Sequence, residues 1–194
     1  MSWLHIGRLW TNGEPYLAVD SDLRRHWHGS DDEVYEQLIV ALSAEQTSIS
    51  VGSATAALLG DGVVRDDSWM EVFTAADGRI AVIQAGGPDY RTAVTAALSY
   101  PIDADDLDGD LGVPSGEIAL FSSACDGVGE NSMELIAPRP GPIPAEHGWP
   151  SPELDTGLLL SASSPRYRLR SRSYTELDHV GCFARWLLIP ATID

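Results

Sequence analysis

The chain has 194 residues and a formal net charge of −17; its twelve basic residues are all arginine, and it contains no lysine. Hydrophobic residues at 44% and charged residues at 21% suit a folded globular chain and exclude wholesale disorder. So acidic a surface repels phosphate backbones and anionic lipid, which removes free nucleic acid and membranes from the expected partners.

In chain order, residues 15–19 alternate and predict a short strand, after which Asp20 is placed to cap a helical turn through Trp27. Ser30 predicts the N-cap of a helix over 31–44, with Glu33 completing a capping box and Val34, Leu38, Ala41 and Leu42 on one apolar stripe. Residues 47–51 and 54–59 predict a hairpin turning at Gly52-Ser53, and 69–74 and 79–84 a second turning at Asp77-Gly78. Pro88 suits the first turn of a second helix over 89–100, with Val94, Ala97 and Leu98 inward and Pro101 as its stop. The stretch 103–110, DADDLDGD, predicts an acidic loop. Beyond it the pattern is strand only, over 117–122, 133–136, 158–161, 167–174 and 180–189, with a six-proline loop over 138–152 read as a structured excursion or flap. These elements predict an α+β fold: an antiparallel or mixed sheet, two main helices in the first half and a β-rich second half, sharing one core in a single domain over 1–194.

Cys125 and Cys182 form neither a CxxC pair nor a disulfide framework, which fits a reducing compartment. The opening MSWLHIGRLW lacks a basic stretch followed by an apolar core, and no apolar run reaches the ~20 residues that span a bilayer. A cytoplasmic location is expected.

Five stretches invite a chemical reading. His26 and His28, ahead of Asp31 and Asp32, resemble metal ligands, but two-apart residues at a helix end diverge, and His5, His147 and His179 add no ligand spacing. Asp106, Asp108, Asp110 and Glu117 match an EF-hand count, yet Leu111 stands where that loop needs glycine. QAGGPDY, 84–90, joins a strand to a helix and could present amides to an anion, but without a lysine the plain tight turn is the better reading. Cys125 and Ser115 have no base assigned to them by spacing. No metal, cofactor or catalysis is therefore expected.

The sharpest physical pattern is RYRLRSR. At period two, Arg166, Arg168, Arg170 and Arg172 share one strand face while Tyr167 and Leu169 point the other way. Three readings stand: charge that discourages edge pairing, an internal clamp on nearby acidic loops, or a face that grips carboxylates on a partner. With the acidic stretch, this gives candidate partner-binding residues Asp103, Asp105, Asp106, Asp108 and Asp110 beside the four arginines.

Several short motifs resemble the Immunity protein 21 family of bacterial polymorphic-toxin systems. They are Gly13-Glu14-Pro15-Tyr16-Leu17, then Trp27-His28-Gly29-Ser30-Asp31 with Tyr35, the hairpin glycine Gly52, Leu59-Gly60-Asp61, and the strand ending near Gln84 before a helix. Glu117-Ile118-Ala119-Leu120-Phe121 and the arginine strand match more loosely, and the proline-rich loop departs from the pattern. The resemblance implies a non-enzymatic inhibitor that binds a cognate protein toxin, with Trp27 and Tyr35 as packing residues. A charge of −17 would speed capture of a basic toxin. The alternatives are a small enzyme or ligand-binding protein with its site under the 138–152 loop, and an acidic nucleic-acid mimic.

Overall fold

A computed structural model describes residues 2–29, 31–43, 46–60, 64, 68–144 and 156–191. The first sheet runs β1 (Trp3–Thr11), β5 (Ser68–Ala75), β6 (Ile80–Gly86), β12 (Gly181–Pro190), β11 (Arg166–Leu177) and β7 (Asp106–Gly112) in spatial order, antiparallel throughout. The second runs β3 (Ser48–Val51), β4 (Ala54–Leu59), β2 (Tyr16–Asp20), β8 (Glu117–Ser122), β10 (Gly157–Ser161) and β9 (Leu135–Ile136), antiparallel except for the β9–β10 pair. Two α-helices, α1 (Asp32–Ser43) and α2 (Tyr90–Ser99), complete the α+β architecture.

Strand alternation builds the layers. Val82 on β6 and Ala184, Trp186 and Leu188 on β12 join Leu17, Leu58, Leu120 and Leu158 in the core between the sheets. The intervening residues Ala81, Ile83, Phe183 and Leu187 turn to the opposite face and pack under Ala93, Val94 and Ala97 of α2. Central strands buried on both faces read as continuous apolar runs, as these do. The main core thus draws on both halves of the sequence.

Most predicted elements lie close to their expected places, and the arginine strand has the predicted split: Tyr167, Leu169 and Ser171 are buried while Arg166 and Arg168 are exposed. Three readings need correction. The acidic stretch 103–110 is not a loop: most of it forms edge strand β7, which pairs with β11 through a bulge beside Gly109 at φ 132°. Strand β1 has no counterpart among the predicted elements. The observed cap of α1 is Asp31, whose carboxylate accepts the Val34 N–H at 2.9 Å, while Ser30 and the side chain of Leu42 lie outside the description. Likewise Asp89, one residue after Pro88, caps α2 by accepting from the Thr92 N–H. The 3₁₀ turn Ser21–His26 is capped by Asp20 as expected, and the buried Asp20 carboxylate also accepts from the Ser115 N–H at 2.8 Å.

Residues 145–152 of the proline-rich loop lie outside the description, but its first part does not hang free. The Arg139 and Gly141 N–H groups donate to the carbonyls of Ile6 and His5, covering the outer edge of β1. Ile143 O then accepts from Arg91 at 3.1 Å. The segment therefore bridges β1 and the first turn of α2.

QAGGPDY is a close-packing device. The Gly87 backbone is at φ 120°, and a Cβ there would lie 2.3 Å from Gly181 Cα; one on Gly181 would lie 2.1 Å from Gly86 O. The Asp89 N–H donates to Val180 O, so this amide serves the β11–β12 turn. Gly181→Ala is expected to destabilise the fold by about 1–3 kcal/mol through overpacking against backbone, measurable as a lower urea midpoint. An unchanged midpoint would contradict this contact.

Candidate functional site

Two buried carboxylates organise the polar interior. Asp105 lies just before β7, on the face of the first sheet that carries α2. Arg185 of β12 donates to both of its oxygens, at 2.8 and 2.6 Å, and Arg172 Nε donates to Oδ1 at 2.8 Å. The same Arg185 guanidinium donates to the carbonyls of Ala97, Tyr100 and Pro101. A cation there complements the negative end of the α2 dipole, so two arginines beside one aspartate are matched by helix carbonyls. Arg172 also lies over the Tyr100 ring at 5.0 Å, and Arg170 donates to the carbonyls of Ile102 and Asp105.

The second centre is Glu71 on β5, fully buried beneath the start of α2. Tyr90 OH donates to Oε1 at 2.6 Å, Arg8 donates to the same oxygen, and His5 Nε2 lies 2.7 Å from Oε2. Burial pushes the Glu71 carboxyl up, but the His5 hydrogen bond, the Arg8 charge and the hydrogen bonds from Arg8 and Tyr90 outweigh it and hold the group below the usual carboxylate range. Burial, with the Glu71 charge beside it, pushes the Tyr90 phenol upward, so it stays a donor. Both Glu71 oxygens are engaged.

The predicted partner-binding residues separate on this framework. Asp105 is buried and is withdrawn from any partner surface; Arg172 and Arg170 are half-buried around it. That is the internal clamp, one of the three readings of the arginine strand. Arg166 pairs with Asp110 at the surface, and Arg168, Asp103 and Asp106 are exposed. Asp108 lies at the β7 bulge; its side chain is outside the description. His26 and His28 are both exposed, and among the described residues no group of three His, Cys, Asp or Glu side chains is placed to hold a metal. Among the same residues no helix is long and apolar enough to cross a membrane.

The sequence reading missed the outward face of α1. Leu38 and Ala41 are buried and Val34 half-buried, as the stripe predicts. Ile39 and Val40 are exposed, Val40 at 67%, and so is Tyr35, which corrects the packing role that the resemblance implies for it; Trp27 is buried as that role requires. The carboxylates of Asp31, Glu33 and Glu36 are exposed on the same helix. The signal was present in DEVYEQLIVALS, which holds more large apolar residues than one stripe can bury. Residues 27–29 lead into α1 packed on the turn after β8. There Trp27 Nε1 donates to Ser123 O at 2.9 Å, and the Gly127 N–H donates to Trp27 O. That turn carries another exposed apolar side chain, Val128, at 50%.

The ion clusters tie α2 to the first sheet and brace its edge strands β1 and β7, and the exterior offers apolar side chains rimmed by carboxylates. Comparison of the chain with models of protein families, with curated proteins and with solved structures finds no match.

Proposed function

We propose that the chain is a binding protein for a basic protein partner, acting as an immunity protein acts on its cognate toxin. The observation that carries this reading is the outer face of α1, where exposed Tyr35, Ile39 and Val40 share a short helix with Asp31, Glu33 and Glu36. Interfaces with strong anchors pair an apolar centre with a polar rim, and an acidic rim on a chain of charge −17 selects a basic counterpart. Among the described acidic residues only Asp20, Glu71 and Asp105 are buried, so the remaining carboxylates shape the outer field. The exposed apolar side chains favour a protein surface over mimicry of nucleic acid.

The double substitution Ile39→Arg, Val40→Arg tests this. Its thermal midpoint is expected to stay near that of the wild type, since exposed changes usually fall within about ±0.5 kcal/mol. Used side by side as bait in host extract, wild type is expected to retain a stoichiometric basic protein that the variant loses. Equal retention by both would remove α1 from the interface.

A second reading has its own observation. Nδ1 of His5 and Nε of Arg8 are buried without a hydrogen-bond partner, beside the segment that crosses from β1 to α2. Orphaned polar atoms there favour a small polar ligand beneath the proline-rich loop. A ligand that perturbs the His5 imidazole resonances without touching α1 would support it.

A further inference from the structure

A cleft of about 170 Å³ opens at the β1–β2 turn, and Trp10, Asn12, Glu14, Ser122, Cys125 and Met133 are among the residues that line it. Its form follows from local hydrogen bonding. Thr11 Oγ1 donates to Glu14 O at 2.5 Å and accepts from the Gly13 N–H, while Tyr16 OH donates to Trp10 O at 2.6 Å. These contacts fix the turn and hold Glu14 half-buried at the cleft. The Glu14 carboxylate makes only a long contact, with Ser122 Oγ at 3.5 Å, and no arginine among the described residues forms an ion pair with it. Beside it, Trp10 packs edge-on against Trp69 at 5.2 Å, and the other member of that pair already holds a guanidinium, Arg8, at 4.2 Å from the Trp69 ring.

The geometry points to a receptor for a cationic side chain: the cleft takes an arginine or lysine of the basic partner, with Glu14 as counter-ion and Trp10 as its aromatic wall. A half-buried carboxylate without a cation beside an indole favours a guanidinium or ammonium over a neutral or anionic guest. The backbone before α1 passes close to this turn: a Cβ on Gly29 would lie 3.0 Å from Ala124 O, the neighbour of Cys125. The inference rests on the basic-partner reading for its source of cation, and on Glu14 and Trp10 for its chemistry.

The test is titration of the full chain with N-acetyl-arginine amide, N-acetyl-lysine amide and the neutral N-acetyl-glutamine amide, followed by ¹H–¹⁵N spectra. Saturable shifts at Trp10, Asn12, Glu14 and Cys125 are expected with the two cations and not with the neutral amide. Binding is expected to weaken about tenfold in Glu14→Gln, as loss of a charge-assisted contact implies. Should that variant fail to fold, Asn12→Lys at the exposed rim is expected to weaken binding by placing a competing cation at the mouth. No saturable shift at these residues, an equal response to the neutral amide, or indifference to both substitutions overturns the site. Occupation of the cleft by the arginine amide, with no basic protein retained in the α1 comparison, would uphold the site and remove the partner reading. A retained partner with an unresponsive cleft would do the reverse.

Discussion

Replacing Asp105 with alanine is expected to lower the unfolding free energy by about 3–5 kcal/mol, the range for stripping one partner from a buried ion pair. The substitution leaves Arg185, 1% exposed, without its bidentate carboxylate, and frees Arg172 from the same oxygen. The carbonyls of Ala97, Tyr100 and Pro101 would still face the Arg185 guanidinium, but they are dipoles and do not neutralise its charge. The control lies two residues away: Asp103→Asn, at an exposed position, is expected to stay within about ±0.5 kcal/mol. Urea unfolding of both variants at neutral pH makes the comparison. Similar midpoints for the two would mean that Asp105 is not the anchor of the α2–β7 junction.

Glu71→Gln is expected to cost about 3 kcal/mol and also to change the response to acid. The amide keeps the shape but removes the charge that Arg8 faces, and it directs N–H groups at donors. In the wild type the folded Glu71 carboxyl titrates below its unfolded value of about 4.3. Its stabilising contribution is therefore fully present above that unfolded value and is lost as pH falls through the lower folded value. The wild type is accordingly expected to lose more stability than Glu71→Gln when unfolding is measured at neutral pH and again below about pH 4. Parallel pH profiles for the two proteins would show that Glu71 carries no depressed titration in the fold.

These residues show which parts of the molecule local sequence can display. The hairpins at Gly52-Ser53 and Asp77-Gly78 are legible because turn chemistry and period-two alternation act over a few residues. Tyr167 and Leu169 are legible for the same reason. Asp105 is not: its partner Arg185 lies 80 residues away, and the two meet only because β12, β11 and β7 are neighbours. In isolation DADDLDGD has the composition of a solvated loop; the ladder to β11 and the burial of Leu111 make most of it strand. Glu71 offered a partial signal, a carboxylate inside the apolar run WMEVF, though its partners His5 and Tyr90 sit 66 and 19 residues away. The outward face of α1 was fully local. Assigning Val34, Leu38, Ala41 and Leu42 to the core left Tyr35, Ile39 and Val40 without a place inside.

The division between a neutralised interior and a recognising exterior also separates equilibrium effects from rate effects. Exposed carboxylates act mainly on encounter and are screened over a Debye length of about 8 Å at physiological salt, whereas apolar anchors act mainly on dissociation. Once a partner is captured, its association rate at low and physiological ionic strength, for wild type and for Glu33→Gln, Glu36→Gln, tests the account most directly. The expected result is fast association at low salt that slows steeply as salt rises, with a slower rate and a shallower salt dependence in the variant. A rate independent of salt and identical in the two proteins would contradict capture of a basic partner by the acidic face of α1.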